Sequence, residues 1–480
     1  MGRVEAIAGT NVHFASDFTE TWDGLPEMPG RIEANAGMNV FVTSVSPHCL
    51  LNVTSMCSIF FFFVTFALHS IIDNMDKNFP LSGWGSVAVH SGHEQDPMYA
   101  HLVPIYASST FVYDEAEQGM RRFSGKEDGY IYSRWGNPTF SEAANKIAAL
   151  ETFGIEKNGS PLQAKGILHA SGMAAITTLL LSNLKAGDKI LTHYSLYGGT
   201  EEIITNVLPH LGITAIIADL RDLNKAEEAI KNDKAIKMLY IETPANPTIQ
   251  CVDIEELSKL AKQYGLITAC ANTFATPYLQ QPYRFGIDFI VHSTTKFLNG
   301  HGTAIGGILL GTDIDFMKKR AYAMAKTLGG NANPFDAFLL INGMKTLELR
   351  MERHCHNALE VASFLEQHPA VAKVNYTGLP DHPDHYIAMK QMRHPGAMLS
   401  FELKEGLQGG IDFMNKLKMC VRTVSLGTCD TLLSHPASMT HYSVPKEEKL
   451  KYGITDGLIR MNVGIENVQD ILADINQALN

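Results

Sequence analysis

The sequence predicts an α/β fold, an αβα sandwich with a mostly parallel sheet, followed by a smaller C-terminal α+β domain. Between residues 166 and 302, strand-like and helix-like segments alternate. Repeated units of this length imply parallel strands joined by crossover helices. Beyond about residue 330, longer helix-like segments replace this alternation. The chain has 480 residues, 45% of them hydrophobic and 19% charged, which is enough for two or three domains with a large core.

Net charge and cysteine content argue against several classes of protein. A formal charge of −11 without any run of lysine or arginine argues against nucleic acid as the main partner. The 7 cysteines form neither a CxxC pair nor a cluster with metal-ligand spacing, so we expect reduced thiols, an intracellular protein and no metal site. Cys355 lies between His354 and His356, but neighbours on a helix point apart, which favours a structural cysteine.

The first 74 residues differ from the rest of the chain. They contain a hydrophobic run over residues 59–68, shorter than the roughly 20 residues that a spanning helix needs. The uncharged stretch over residues 50–72 just reaches that length, but it lies too far from the N-terminus for a signal peptide. We therefore favour an atypical extension, with the functional protein beginning at Met75, over a membrane anchor, and we expect a cytoplasmic protein.

Helix start and stop signals are clearest in the sheet region. Thr200 is predicted to cap one helix with its side chain. Asp253 and Glu256 have the spacing of a capping box for another helix, which ends near Gly265. The predicted elements are strands over residues 166–169, 189–192 and 398–403, and helices over residues 173–184, 339–350, 358–366 and 468–479.

Reactive side chains concentrate at the end of one predicted strand, within residues 289–302. An apolar run ends there in three hydroxyl side chains and Lys296, and a glycine-containing loop follows. Lysines are rarely buried, and a desolvated amine becomes a nucleophile that forms a Schiff base with a carbonyl group or with pyridoxal phosphate. Ligands of α/β folds bind at the carboxyl ends of strands. An ordinary exposed lysine is the alternative.

A second segment is suited to an anion. Ser171, Gly172 and Met173 follow a predicted strand and open a helix, so their free N–H groups and the helix dipole can receive a phosphate. Ser293 and Thr295 add hydroxyl groups from the lysine strand. Tight packing of small residues is the alternative for this turn.

Further polar residues fit the same site. Tyr132 and Arg134 lie in a turn-rich segment and suit phosphate oxygens, unless this is a surface loop. Tyr197 precedes a flexible turn and could stack on a planar cofactor, or it is a core tyrosine. Asn246 follows another predicted strand at the same sheet edge. Arg460 interrupts an apolar strand, and a buried arginine requires an anion such as a substrate carboxylate.

From about residue 86 to residue 479, these motifs together with residues 435–441 resemble the Cys/Met metabolism PLP-dependent enzymes. This family of fold-type I includes cystathionine γ-synthase, methionine γ-lyase and O-acetylhomoserine sulfhydrylase. The resemblance implies pyridoxal 5′-phosphate (PLP) as cofactor, Lys296 as the Schiff-base lysine and acid/base, and Tyr197 as a second catalytic residue. It implies substrate binding by Ser425 and Arg460. The implied cofactor-binding residues are Tyr132, Arg134, Ser171, Gly172, Met173, Tyr197, Asn246, Ala271, Ser293, Thr295 and Lys296.

The resemblance also implies how subunits and domains are arranged. Tyr132 and Arg134 reach the phosphate in a neighbouring subunit, so the active unit is a dimer, usually paired into a tetramer. Residues 75–140 are then an N-terminal arm, residues 141–330 the large PLP-binding domain and residues 331–480 the small domain.

One position departs from the family pattern. Members carry an aspartate before Asn-Thr, where it pairs with the pyridine nitrogen of PLP, and Ala271 stands there in this chain. Losing a buried partner costs roughly 3 to 5 kcal/mol, which is about 10²- to 10⁴-fold in rate if it all enters the barrier. Either Asn272 or water substitutes poorly, or the chain is an altered or degraded copy, or it is not a normal catalyst. We expect a PLP-dependent lyase with reduced activity, and a catalytically impaired PLP-binding subunit is the alternative.

Pocket positions favour one reaction within the family. Val424 stands where the cystathionine enzymes typically carry a glutamate, and an apolar residue suits an uncharged thioether. Residues 438–440 resemble those of γ-lyases. Against this, Gly199 replaces the cysteine that methionine γ-lyases usually carry, and residues 333–335 are closer to sulfhydrylases. We expect methionine γ-lyase-like elimination that gives a thiol, ammonia and 2-oxobutanoate. O-acetylhomoserine sulfhydrylase and cystathionine γ-lyase or γ-synthase activity are the alternatives.

Overall fold

The structure is a computed structural model that describes residues 80–93, 96–442, 444–451 and 453–480, together with four short strands further upstream. It divides into two compact units, Met1–Pro80 and Leu81–Asn480. The predicted domain bounds at residues 74, 140 and 330 stay predictions. In the part of the chain that is described, no helix is both long enough and apolar enough to cross a bilayer. The hydrophobic run over residues 59–68 and Met75 lie outside that part.

The first unit contains a four-stranded antiparallel sheet of order β1-β4-β3-β2. Its strands are β1 (Glu5–Ala8), β2 (Asn11–Val12), β3 (Arg31–Asn35) and β4 (Met38–Phe41).

The second unit is built on a seven-stranded sheet of order β7-β13-β12-β11-β10-β8-β9. Its strands are β7 (Lys165–His169), β8 (Lys189–His193), β9 (Thr214–Ala218), β10 (Ile236–Glu242), β11 (Ile267–Ala271), β12 (Phe289–Ser293) and β13 (Gly307–Gly311). A small hairpin of β5 (Glu156–Lys157) and β6 (Ser160–Pro161) precedes it. Strand β13 is antiparallel to both neighbours, and the pairings among β8 to β12 are parallel. The mostly parallel α/β sheet is confirmed.

Helices of the second unit connect these strands and continue into the C-terminal part. They are α1 (Trp84–His90), α2 (Ala116–Phe123), α3 (Pro138–Thr152), α4 (Gly172–Asn183), α5 (Gly198–Glu202), α6 (Leu223–Asn232), α7 (Ile254–Gln263), α8 (Thr276–Leu279), α9 (Ile314–Phe316), α10 (Tyr322–Leu328), α11 (Pro334–Met344), α12 (Leu347–Gln367), α13 (His385–Gln391), α14 (Gly406–Lys416), α15 (Lys446–Lys451) and α16 (Val468–Leu479). Shorter π or 3₁₀ turns are Ile203–Val207, Leu208–Leu211, Pro282–Phe285, Met317–Ala321 and Pro436–Ser438.

Both faces of the large sheet are covered by apolar side chains. Along β10, Met238 and Tyr240 face a cluster that includes residues of α4, whereas Leu239 and Ile241 belong to a second cluster that includes residues of α3. All four side chains are at most 1% exposed. A strand that is buried on both faces is the expected result of helices covering a parallel sheet from either side.

The C-terminal sheet has five strands in the order β14-β15-β18-β17-β16. They are β14 (Val371–Asn375), β15 (Met398–Leu403), β16 (Val421–Arg422), β17 (Leu432–Ser434) and β18 (Leu458–Asn462). Its pairings are antiparallel except that of β16 with β17. Apolar residues of α12, α14 and α16 pack with residues of β15 and β18 in a core cluster that includes Val361, Phe413 and Ile475. This is the smaller α+β part that the sequence predicts.

Local signals predict most element bounds well. Strand β15 and helix α16 have the predicted bounds, and the strands and helix predicted between residues 166 and 192 are each shifted or lengthened by one residue. The capping prediction for α7 is confirmed because the Asp253 carboxylate accepts the N–H of Glu256 at 3.1 Å.

Two local predictions are wrong. Residues 339–350 are not one helix, because α11 ends at Met344 and α12 starts at Leu347. At this break the Gly343 carbonyl accepts from the Arg350 guanidinium at 2.8 Å, which satisfies a carbonyl at the end of α11. Thr200 does not cap a helix. It lies inside α5, and its hydroxyl donates to the Glu242 carboxylate at 2.7 Å.

The close approach of α11 to the loop after Lys296 predicts a sensitive glycine. A Cβ at Gly343 would overlap the backbone carbonyl of Asn299. We expect Gly343→Ala to lower the free energy of unfolding by about 1 to 3 kcal/mol, measured from the midpoint of urea unfolding. The control is Gly136→Ala, whose Cβ would meet its nearest neighbour at 3.7 Å. Equal midpoints for both variants would contradict the prediction.

Candidate active site

A cavity of about 290 Å³ lies at the carboxyl ends of β10, β11 and β12. Its position agrees with the rule for ligands of α/β sheets. The structure brings ten of the predicted site residues to its wall: Ser171, Gly172, Met173, Tyr197, Asn246, Ala271, Ser293, Thr295, Lys296 and Arg460. Ser425 contacts the site through Lys296.

Lys296 lies three residues beyond the end of β12. Its Nζ atom donates to the Ser425 hydroxyl at 3.2 Å. Burial, and then the positive charge of Arg460, lower the pKa of this lysine. A lower pKa means a larger neutral fraction near neutral pH, and the neutral amine is the form that attacks a carbonyl group.

The start of α4 forms a tight cradle against β12. A Cβ at Gly172 would lie 2.9 Å from the Cβ of Ser293, so only glycine allows this approach. The Ser171 side chain accepts the N–H of Ala174 at 3.1 Å. The N–H groups of Gly172 and Met173, at the first turn, have no intrahelical acceptor and can bind an anion.

Thr295 anchors the loop beside this cradle. Its hydroxyl donates to the Gly306 carbonyl at 3.2 Å and accepts the Gly306 N–H at 3.0 Å. To donate to a phosphate, this hydroxyl must give up its bond to the carbonyl. Ser293 is the simpler hydroxyl donor, because its Oγ would lie 3.4 Å from a Cβ on Gly172, in contact with the cradle.

Arg460 lies in the middle of β18 and is only 6% exposed. Its Nη2 donates to the carbonyls of Val424 and Ser425 at 2.9 Å each, and its Nη1 donates to Asn246 Oδ1 at 3.2 Å. Its Nε is buried and has no partner among the described residues. Burial lowers the pKa of Arg460 to about 10. A buried cation on the cavity wall is suited to a carboxylate.

Ala271 ends β11 and is paired with Glu242 on one side and Val291 on the other. It therefore lines the cavity without a charge. Asn272 does not replace the missing carboxylate, because its side-chain amide donates to Glu151 and to the Gln280 carbonyl at 2.8 Å each.

Sequence reasoning gave Glu242 no role, yet this carboxylate lines the cavity beside Ala271. In the sequence, the feature that points to Glu242 is a charged residue at the end of an apolar strand. Glu242 is 8% exposed, and burial raises its pKa.

Two of the predicted cofactor-binding residues lie outside the cavity wall. Tyr132 and Arg134 are exposed and do not line the cavity. The Arg134 guanidinium bonds to the Lys326 carbonyl and lies 5.5 Å from the centre of the Tyr132 ring. Among the described residues, no group of three or more potential metal ligands occurs.

Val424 and Gly199 are two of the positions from which the sequence predicts the substrate. The Val424 side chain is 56% exposed, and only its carbonyl is bound to Arg460. At Gly199 a Cβ would lie 2.6 Å from the Tyr197 ring and 2.9 Å from the Met173 sulfur. The glycine therefore leaves room for the Tyr197 ring to fold back over the turn.

Comparisons with known proteins agree with this geometry. The profile of the family described as Cys/Met metabolism PLP-dependent enzyme matches residues 85–480. The chain belongs to this family. An L-methionine gamma-lyase of Fusobacterium nucleatum subsp. polymorphum is 46% identical over 398 residues, 83% of this chain and 98% of the relative. A cystathionine gamma-lyase of Bacillus subtilis is 39% identical over 82% of this chain and 98% of the relative.

A solved structure shows the same architecture. Cystathionine gamma synthase from Xanthomonas oryzae pv. oryzae, in complex with aminoacrylate and cysteine, matches with a TM-score of 0.76 and 34% identity over 83% of this chain and 98% of that one. The fold is therefore that of the fold-type I PLP enzymes, and this member is a PLP-dependent carbon–sulfur lyase.

The residues present fit PLP at two of three points. The glycine-dependent cradle suits its phosphate, and the amine of Lys296 suits its aldehyde. At the third point, Ala271 offers no carboxylate to the ring nitrogen. The site therefore fits the cofactor, with one altered contact.

The lowered pKa of Lys296 predicts its reactivity in protein freed of PLP. We expect an amine-directed acylating reagent to label Lys296 at a lower pH than the exposed Lys318, because burial and Arg460 disfavour the charged amine. The pH dependence of each modification is measured by peptide mass spectrometry. Arg460→Met should move the Lys296 profile to higher pH and leave Lys318 unchanged. Coincident profiles in the unaltered protein would contradict this prediction.

Proposed function

We propose that the protein catalyses methionine γ-lyase-like α,γ-elimination of a sulfur amino acid, which gives a thiol, ammonia and 2-oxobutanoate. The observation that carries the proposal is the cavity wall around Lys296 and Arg460. Phe274, Ile305 and Leu426 give it an apolar part. Such a wall accepts an uncharged thioether better than a second charged amino-acid arm. The similarity to L-methionine gamma-lyases supports the same choice.

The residues of the chain have separable tasks in this reaction. PLP, when bound, supplies the electron sink that stabilises negative charge on substrate carbons. Arg460 binds the α-carboxylate with its guanidinium, which three hydrogen bonds to Val424, Ser425 and Asn246 hold in place. The Lys296 amine takes the proton from Cα, a role that its lowered pKa favours.

Later steps need a second proton removal at Cβ and loss of the thiol from Cγ. Tyr197 lines the cavity with a half-exposed ring, and its phenol is suited to return a proton to the departing sulfur. The Ser425 hydroxyl accepts from the Lys296 amine, so it orients the base between transfers.

The substrate proposal is tested with the purified full chain loaded with PLP. We expect methionine to release 2-oxobutanoate and a thiol faster than cystathionine does, because Phe274, Ile305 and Leu426 offer no charge to a distal amino-acid group. Both products are followed by coupled assays alongside the visible absorption of the cofactor. Much faster turnover of O-acetylhomoserine with sulfide would overturn the assignment in favour of a sulfhydrylase.

Ala271 supports a second candidate, a PLP-binding subunit with little activity. Ala271→Asp should raise kcat by about 10²- to 10⁴-fold if the missing carboxylate limits an otherwise complete catalyst. Ala271→Asn is the matched control, because it has nearly the same size without the charge. A silent Ala271→Asp variant that binds PLP would favour the binding subunit and count against the lyase proposal.

We further propose a dimer that shares its active sites, usually paired into a tetramer. In the described part of the arm, large apolar side chains are exposed, including Met98, Tyr99 and Val112. Arg134 is also exposed and does not line the cavity of its own chain. A second copy would cover the apolar side chains and receive the arginine.

Complementation tests this sharing. Arg134→Ala and Lys296→Ala proteins are each expected to be nearly inactive alone. After mixing and reassembly, about a quarter of the wild-type sites should be intact, because half of the dimers are mixed and each mixed dimer has one complete site. Activity per subunit and the oligomeric mass are measured before and after mixing. If Arg134 acts within its own chain, the mixture will show only the summed activity of the two variants.

A further inference from the structure

Glu242 is a buried carboxylate on the cavity wall for which the proposed reaction has no task. It is the last residue of β10, and its strand partner across the sheet is Ala271. Among the described residues that line the cavity, it is the single carboxylate. Its effect must therefore come from the groups that it holds.

Three donors converge on this carboxylate. Its Oε2 accepts the backbone N–H of Tyr197 at 2.7 Å, and its Oε1 accepts the hydroxyls of Thr200 at 2.7 Å and of Tyr240 at 3.0 Å. Tyr240 is fully buried, so it fixes the carboxylate from the sheet side. Hydrogen bonds to a charged acceptor are roughly twice as strong as neutral ones. The carboxylate thus ties α5 to the end of β10.

The turn that carries Tyr197 has little other support of this kind. Tyr197 is the N-cap of α5, and no side chain caps that end. Helix α5 (Gly198–Glu202) continues into the π turn Ile203–Val207, where Ile203 and Ile204 are buried in the core, so core packing anchors its far end and Glu242 holds its start. The Tyr197 ring is 51% exposed, so packing alone does not fix it. The Glu242 bond to the Tyr197 backbone is therefore a main restraint on the ring.

We propose that Glu242 is a positioning residue that holds the α5 turn, so that the Tyr197 ring stays where it can stack on the planar ring of PLP. The inference rests on the proposed stacking role of Tyr197 and is independent of which sulfur amino acid is the substrate. This positioning role explains why the Glu242 carboxylate is buried at the end of β10. A carboxylate accepts from all three donors at once, whereas an amide has one acceptor oxygen.

A double-mutant cycle on cofactor affinity tests the inference. PLP is titrated into PLP-free protein, and its dissociation constant is measured from the visible absorbance and the quenching of protein fluorescence. Glu242→Met should weaken PLP binding by roughly tenfold, the upper size of one aromatic stacking contact. In the Tyr197→Leu background the same substitution should have almost no further effect, because the ring that Glu242 positions is gone.

Two companion variants distinguish positioning from a general loss of structure. Glu242→Gln keeps one acceptor for the Tyr197 N–H and should weaken PLP binding less than Glu242→Met. Tyr240→Phe removes a donor without touching that bond and should change the affinity by no more than about twofold. In PLP-free protein, peptides over residues 197–202 should exchange amide hydrogens faster in Glu242→Met than in Tyr240→Phe.

Additive effects of Glu242→Met and Tyr197→Leu would overturn the inference, since Glu242 would then act independently of the tyrosine. If Glu242→Met does not fold, the same cycle with Glu242→Gln decides the question. These readouts use no amino-acid substrate. A protein that fails to cleave methionine could still confirm the cycle, and an active methionine lyase could still contradict it.

Discussion

Two cations share one poorly solvated cavity, and this constraint explains much of the site. Lys296 follows a strand of the large sheet, and Arg460 lies within a strand of the small one. Burial disfavours the charged form of both side chains and so lowers the pKa of each. The positive charge of Arg460 lowers the pKa of Lys296 further. Like charges at short range in a medium of low dielectric repel strongly. Anionic ligands would relieve that repulsion, which supports the proposal that a phosphate and a carboxylate bind at this cavity.

Local patterns predicted the sheet, its C-terminal companion and nine residues of the cavity wall, and the family resemblance added Ala271. An apolar strand ending in Lys296 is visible in the sequence, as is the capping signal of Asp253. Partners from distant parts of the chain were not predictable. Thr200 has the sequence signature of a helix cap, but its hydroxyl donates to Glu242, which is distant in sequence. The break between α11 and α12 is accompanied by a hydrogen bond from Arg350 to the Gly343 carbonyl. Such contacts are set by tertiary packing, which local propensity does not encode.

Alanine at position 271 fits the scaffold of the large sheet. The alanine keeps its strand pairing to Glu242 and Val291. Behind it, Asn272 is bound to Glu151, and that glutamate also contacts His292 at 2.7 Å. This fully buried layer fixes the backbone on which a site residue would sit. The fold at this position therefore does not depend on a carboxylate side chain.

The antiparallel strand β13 has a consequence for the order in which the protein is made. Strand β7, which leads into the cradle, lies at the sheet edge, and its partner is β13, from Gly307 to Gly311. Pairings so distant in sequence close late, and a nascent chain emerges from its N-terminus. When Lys296 has just emerged from the ribosome, β13 has not yet emerged. Strand β7 then lacks its partner, and the turn that begins at Ser171 is not yet held by the sheet. Closure of this edge of the sheet therefore waits for β13, which ends at Gly311, and the two sides of the turn at Gly172 become available at different times of synthesis.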